Sequence, residues 1–123
     1  MAVTYTTAVK NARLDAVITA IGATGVLEIC SAAYAAVLAT IALGNPAGTS
    51  GSGILTFSGF PKSDTSADNT GTAAVARIRT ATGGTTILDG LTVGLSASDV
   101  NLDSLSITAG QTVTISSAAI THA

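Results

Sequence analysis

The spacing of apolar residues divides this chain into one helical segment followed by a long series of strands. Near the N-terminus, apolar residues recur at the three- and four-residue spacing of one helix face: Leu14, Val17, Ile18 and Ile21. Thr6 or Thr7 can cap this helix, and Gly22 can supply the left-handed residue that ends it. The pattern therefore predicts a single helix that packs one face against a core.

After Gly25 the period changes to that of strands. Val26–Ile29 reads as a short strand, and residues 37–43 alternate in a way that suits a strand covered on both faces. A helix over residues 32–42 stays open, because that segment is rich in Ala. Asn45-Pro46 and the Gly-rich stretch 48–53 then predict a flexible turn.

Short Thr/Val/Ile runs fill the C-terminal half, and Gly and Asp turns separate them. Residues 62–71 have no apolar period and predict a surface loop, while Gly83-Gly84, Asp89-Gly90 and Gly110 are turn signals. The expected strands are residues 53–59, 72–80, 85–88, 91–95, 100–107 (one or two strands) and 112–121.

The strand spacing predicts a mainly β fold. We expect an antiparallel β-sandwich, jelly-roll-like, of about seven or eight strands with one N-terminal α-helix. Residues 1–123 form a single domain in this interpretation, with an N-terminal arm and helix over 1–22 and the sandwich over 25–123.

The composition predicts that copies of this chain associate with one another. Charged residues make up only 10% of the chain, against about 25% in typical globular domains. A weakly charged exterior provides little repulsion between copies. The aromatic content is 3%, with no Trp, so the core is expected to be thin and neighbouring subunits to supply part of the burial.

The chain has too few basic residues to bind nucleic acid. The net charge is −2, and phosphate binding requires several clustered cations, whereas only Arg77 and Arg79 lie together, on one face of a predicted strand. Two interpretations of this pair remain open, a solvated strand face or a contact with a subunit or partner.

Residues able to carry catalysis are scarce, and we predict no enzyme activity and no cofactor. Cys30 is the single cysteine and is expected to be a small buried side chain. A nucleophile would need the single His122, near the C-terminus. Glu28 is expected to face water from a strand, or else to be buried and paired with Arg13 or Lys10.

Metal and phosphate sites are also disfavoured. Asp64 and Asp68, like the alternating Asp99, Asn101 and Asp103, are expected to bond backbone groups in turns, because the ordered ligands of a calcium loop are missing. The Gly-rich stretch 48–53 lacks the lysine of a phosphate-binding loop.

We expect no membrane segment and no signal peptide. The apolar run 26–43 contains Glu28 and several hydroxyl side chains, and the first residues lack a basic start followed by an apolar stretch. A soluble protein made in a reducing compartment is expected.

Four segments resemble small proteins encoded among the head and tail genes of tailed bacteriophages. They are AVTYTTAVKNARL at 2–14, SDTSADNTGTA at 63–73, LTVG at 91–94 and ITAGQTVTI at 107–115. The resemblance implies a virion structural protein, made in the host cytoplasm, and carries no catalytic or ligand residues.

The resemblance also implies partners. Small virion proteins of this kind commonly trimerise and bind capsomer junctions, so the expected partners are further copies of the chain, with a trimer favoured, and the major capsid protein. Candidate contact residues are Tyr5, Arg13, Arg77 and Arg79. The alternative is a tail- or fibre-associated module that binds host-surface glycan. A capsid decoration or cement protein is the favoured function.

Overall fold

A computed structural model describes residues 5–44 and 46–121 and is mainly β, with one N-terminal helix in these residues. The helix α1 spans Thr7–Ile21, and a 3-10 turn spans Ala32–Tyr34. The strands are β1 (Val26–Cys30), β2 (Val37–Ala42), β3 (Gly48–Gly51), β4 (Ile54–Phe57), β5 (Lys62–Asp64), β6 (Gly71–Thr72), β7 (Val75–Arg79), β8 (Thr86–Gly94), β9 (Val100–Leu102), β10 (Ser106–Ile107) and β11 (Val113–Thr121).

The helix forms as its sequence predicts. The Thr6 hydroxyl accepts a hydrogen bond from the Val9 amide at 3.4 Å, and Gly22 ends the helix with a φ of 70°. Leu14 and Ile21 are buried, and the other two residues of the apolar face pack partly buried against the same core. The predicted cap, end and buried face are therefore confirmed.

The strand interpretation of residues 37–43 is also confirmed, because β2 occupies this segment. Helix formation is restricted to the short turn Ala32–Tyr34. The pairing of β2 with the buried strand β1 decides the matter, since it satisfies the backbone of β2 and buries Leu38, Ala39 and Ile41.

Nine of the described strands form one curled sheet, and β6 and β10 form a separate pair. The main order is β2-β1-β7-β8-β9-β11-β4-β3, with β5 also paired to β11. The pair β8–β9 is parallel, so the sheet is mixed and the expectation of a fully antiparallel one is wrong. The strand count also exceeds seven or eight, because several predicted turns and loops contain strands.

Two segments without apolar periodicity pair with the sheet. The stretch 48–53 contains β3 and a turn at Ser52 and Gly53, whose φ angles are 52° and 74°. Residues 62–71, predicted as a loop, contain β5 and the first residue of β6. Backbone pairing with β4 and β11 forms these strands without an apolar pattern. Asn45, in the predicted Asn45-Pro46 turn, lies outside the described residues.

The turn signal Asp89-Gly90 produces a bulge inside one long strand. Strand β8 runs without a break from Thr86 to Gly94. In its register with β7, Asp89 and Gly90 together stand opposite the single residue Arg77, so β8 carries one extra residue there. Gly90 has a φ of 75°. A glycine with a positive φ fits a β-bulge within one strand as well as a turn between two strands.

The sheet edge at β2 is covered by side chains of the polar segment 64–69. The Thr40 amide donates to Asp64 Oδ2 at 2.9 Å, and the Thr40 hydroxyl donates to Asp68 Oδ2 at 2.8 Å. The Asn69 amide group donates to the Val37 carbonyl at 2.7 Å, and the Asp68 backbone amide bonds the Leu38 carbonyl at 2.8 Å. Three backbone groups of this edge, the Thr40 amide and the Val37 and Leu38 carbonyls, are thus already occupied.

Helix α1 packs at the opposite end of the sheet, against β3 and β4. The Ser50 hydroxyl donates to Asp15 Oδ1 at 2.6 Å, and the Gly53 amide donates to Asn11 Oδ1 at 2.9 Å. Gly48 in β3 is buried. Helix α1 thus lies against β3, the terminal strand of the sheet order, and its side chains bond the β3–β4 hairpin.

The buried apolar residues form one cluster in the curled sheet, and α1 supplies Leu14 and Ile21 to it. Its largest fully buried side chains are aliphatic, including Leu27, Ile29 and Ile115, and Phe57 is its buried aromatic residue. The core is therefore built almost entirely from aliphatic contacts, as the composition predicts.

Candidate contact surface around Tyr34

The outer face of β1 and β7 brings one carboxylate against two guanidinium groups. Glu28 lies directly opposite Arg77 in the register of β1 and β7. Leu27 and Ile29, on either side of Glu28, belong to the core. Because side chains alternate along a strand, Glu28 and Arg77 share the face that points away from that core. Arg79, two residues on, shares it too.

One oxygen of Glu28 holds this cluster together. Arg77 Nε donates to Glu28 Oε1 at 2.7 Å, and Arg79 Nη1 lies 3.6 Å from the same oxygen. Arg79 is fixed further by two hydrogen bonds, from Nε and Nη2, to the Gly84 carbonyl at 3.0 and 2.7 Å. The hydrogen bond to Glu28 raises the pKa of Arg77 above the ordinary arginine value, although partial burial opposes it.

This arrangement corrects the expectation for Glu28. Only 2% of the residue is exposed, so the prediction that it faces water is wrong. It is buried and paired, but its partners are Arg77 and Arg79 rather than Arg13 or Lys10. The arginine face is not simply solvated either, since the arginine side chains are 22% exposed.

Tyr34 lies over this cluster, held there by an unusual turn. Ala33 and Tyr34 have φ angles of 57° and 58°, a left-handed conformation that costs roughly 1–2 kcal/mol for each non-glycine residue. The Tyr34 hydroxyl accepts a hydrogen bond from the Gly90 amide at 2.6 Å. The Arg77 guanidinium carbon lies 5.5 Å from the centre of the Tyr34 ring, within the range of a cation–π contact.

The same hydrogen bond places the β8 bulge beside the cluster. Gly90 is bonded to Tyr34, and its neighbour Asp89 is exposed. Within the described part of the chain, Asp89 makes no ion pair or side-chain hydrogen bond. We call Glu28, Tyr34, Arg77, Arg79 and Asp89 together the Tyr34 surface.

Cys30 lies at the end of β1 and is fully buried, as expected. Burial raises the pKa of the Cys30 thiol, and the nearby Arg77 partly offsets this effect. The Cys30 Sγ is 3.9 Å from the Glu28 carbonyl oxygen, a weak contact. A thiol with a raised pKa in a buried position is poorly suited to act as a nucleophile. His122, the one conceivable base for it, lies outside the described residues.

The other two candidate contact residues meet at the start of α1, away from the Tyr34 surface. The guanidinium carbon of Arg13 lies 4.5 Å from the centre of the Tyr5 ring. Tyr5 and the neighbouring Val9 are 40% and 43% exposed. The structure therefore divides the four predicted residues between two sites: Arg13 on α1 with Tyr5 just before it, and Arg77 and Arg79 on the sheet.

The aspartates considered and disfavoured as calcium ligands accept hydrogen bonds from backbone amides. Asp64 accepts from the Thr40 and Ser66 amides, Asp99 from the Thr92 amide and Asp103 from the Thr114 amide. Among residues 5–44 and 46–121, no three acidic, His or Cys side chains are grouped as metal ligands. The same residues enclose no pocket and contain no helix long and apolar enough to cross a membrane.

Comparisons with known proteins give this chain no relative: no family model, curated protein or solved structure matches it.

Sequence reasoning missed two residues of the Tyr34 surface. Tyr34 stands in an Ala-rich run that resembles a helix, and nothing in the sequence indicates its left-handed turn. The sequence around Asp89 predicts only a turn. The pair Asp89-Gly90 does indicate a β-bulge as the alternative, since Asp-Gly pairs occur in bulges as well as in turns.

Proposed function

We propose that this chain is a bacteriophage virion structural protein, and specifically a capsid decoration or cement protein. In this proposal it forms a homotrimer and stabilises the head by binding the major capsid protein. The four segments that resemble small phage virion proteins support the virion role. The mainly β fold with one helix agrees with it, and many weak contacts to a repeating lattice would supply the affinity.

The observation that carries the proposal is that the chain uses its few charges internally. Six acidic residues accept hydrogen bonds within the chain: Asp15, Glu28, Asp64, Asp68, Asp99 and Asp103. What remains outside is mostly Thr, Ser, Ala and Gly. Such a surface provides little repulsion between like copies, which suits a subunit that is packed many times over a shell.

We also propose that the outer face of α1, with Tyr5 just before it, contacts the capsid. Leu14 and Ile21 face the core, so removing residues 1–21 would disrupt the fold as well as any contact. Replacing Tyr5 and Arg13 with Ala tests the contact alone. We expect the double variant to stay folded and to bind capsids more weakly. Unchanged capsid binding would remove this surface from the proposal.

The finer form of the fold belongs to the same proposal. We infer a jelly-roll-like sandwich in which β2, β1, β7 and β8 form one layer and β9, β11, β4 and β3 form the other. The sheet order supports this division, and the shared core draws Leu27 and Ile78 from one side and Leu55 and Ile115 from the other.

Location and copy number in purified particles of the encoding phage test the function. Mass spectrometry would detect the chain, and electron cryo-microscopy would place and count it. Hundreds of copies on the head support decoration. A few copies at the tail support the alternative, a fibre-associated glycan-binding module, for which the exposed Tyr5 ring could stack on a sugar. Absence from particles contradicts both.

A further inference from the structure

We propose that the Tyr34 surface joins one copy of this chain to the next, with Arg77 of one copy paired to Asp89 of its neighbour. The inference rests on the proposed assembly into a homo-oligomer and assigns the place where copies meet. In the trimer proposed above, each of the three contacts would hold one such pair.

The Tyr34 surface carries one unmatched positive charge and one unmatched negative charge. Two guanidinium groups share the single carboxylate of Glu28, which leaves one surplus positive charge. Arg77 uses only Nε on Glu28, and its Nη1 and Nη2 make no hydrogen bond to a described residue. Asp89 supplies one negative charge with no partner among residues 5–44 and 46–121. The two unmatched charges belong to one patch, because Arg77 stands opposite Asp89 and Gly90 in the register of β7 and β8.

Tyr34 contacts both strands that carry these charges. Its ring lies over Arg77, and its hydroxyl holds Gly90, the residue next to Asp89. One rigid side chain thus connects the cation on β7 to the anion on β8. In a three-fold ring, Arg77 of one copy would face Asp89 of the next, and Asp89 of the first copy would face Arg77 of the third, so the head-to-tail contact closes.

The strain in the Ala33–Tyr34 turn supports a role for this surface. Two consecutive non-glycine residues adopt left-handed φ angles there, where Asn-Gly would fit without strain. Strained backbone persists where the surrounding structure holds it and often marks a functional site. Here the strain places an aromatic ring at the centre of the patch, and aromatic residues with arginine dominate protein interfaces.

The contact can be tested with two variants that change net charge equally. Asp89→Asn removes the anion from the Tyr34 surface, and Thr112→Lys adds a cation at an exposed position elsewhere, so each raises the net charge by one. Analytical ultracentrifugation over a concentration series measures assembly. We expect Asp89→Asn to raise the midpoint concentration of assembly about tenfold, the equivalent of about 1.4 kcal/mol, and Thr112→Lys to leave it unchanged.

Added salt and reversal of the Asp89 charge give two further tests of the contact. Added NaCl should weaken assembly of the wild type and of Thr112→Lys, because the pair is partly exposed, and should affect Asp89→Asn less. Asp89→Lys would oppose Arg77 of the neighbour and should abolish assembly. Equal melting temperatures would show that these variants stay folded.

Two results would overturn the inference. One is a wild-type chain that remains monomeric at micromolar concentration in low salt. The other is an Asp89→Asn variant that assembles like Thr112→Lys. Neither depends on the particle experiment. A chain that assembles through Asp89 but is absent from virions would refute the proposed function alone, and a decoration protein insensitive to Asp89 would refute only this contact.

Discussion

Glu28 and Arg77 face each other across β1 and β7, with Glu28 Oε1 2.7 Å from Arg77 Nε. The carboxylate is almost fully buried, and the guanidinium covers it. Removing one member of such a pair leaves an uncompensated charge, which costs more than the pair itself contributes. This relationship makes Arg77 a structural residue as well as a candidate contact.

Replacing Arg77 with Ala should lower the free energy of unfolding by about 3 kcal/mol, because Glu28 would lose its hydrogen-bonded partner. Arg79→Ala should cost less, since Arg79 lies 3.6 Å from the same oxygen. Urea denaturation monitored by circular dichroism measures both. Equal losses in the two variants would show that Glu28 does not depend mainly on Arg77.

Replacing Ala33 with Gly should stabilise the protein by about 0.5–1 kcal/mol. Glycine adopts the left-handed conformation of this position without steric cost, although it has more entropy to lose on folding. Ala35→Gly is the matched control, because Ala35 has a φ of −62°, and it should destabilise. Thermal unfolding compares the two, and shifts of the same sign would contradict the strained turn.

Replacing Asp64 with Ala should uncover the edge of β2. The Thr40 and Ser66 amides would each lose an acceptor, at a cost of about 1–2 kcal/mol, and the Thr40 amide should exchange faster with solvent deuterium. An open edge also invites pairing between chains, so aggregation should increase. Asp103→Ala is the control, since it removes a hydrogen bond from β11 within the sheet. Similar aggregation of both variants would indicate general destabilisation instead.

Alkaline pH should destabilise the fold through Cys30. Burial raises the pKa of the thiol in the folded state above its unfolded value, so the folded state retains a proton that the unfolded state releases. The resulting stability is present below the ordinary thiol pKa and is lost as the pH rises toward the folded value. Urea unfolding from pH 7 to 10 should show this loss in the wild type and a smaller one in Cys30→Ala. Identical slopes would exclude the thiol as the cause.

The helix should prove to be part of the core. Leu14→Ala should cost about 2–4 kcal/mol, because it leaves a cavity beneath α1. Val9→Ala, on the exposed face of the same helix, should change stability by less than about 0.5 kcal/mol. Denaturation of the two variants gives the comparison, and a small loss for Leu14→Ala would mean that α1 packs only loosely on the sheet.

The sequence by itself determined the elements whose signals are local. The period of Leu14 and Ile21, the hydroxyl of Thr6 and the backbone freedom of Gly22 specify α1 completely, because helix contacts join residues three or four apart. The alternation around Val75 and Ile78 likewise specifies a strand. Low charge and few aromatic residues were sufficient to expect a core of aliphatic side chains.

Only the tertiary structure decided where Glu28 points and what covers it. Its partners lie 49 residues away for Arg77 and similarly far for Arg79, and a strand register connects them that no local pattern encodes. No local pattern predicts β3 and β5 either, because they form only where neighbouring strands satisfy their backbone groups. The role of Asp64 at the edge of β2 is equally hidden, since Asp64 lies in a segment without an apolar period. Because β8 pairs with β7, Asp89-Gly90 forms a bulge rather than the predicted turn, and this bulge lies beside Tyr34.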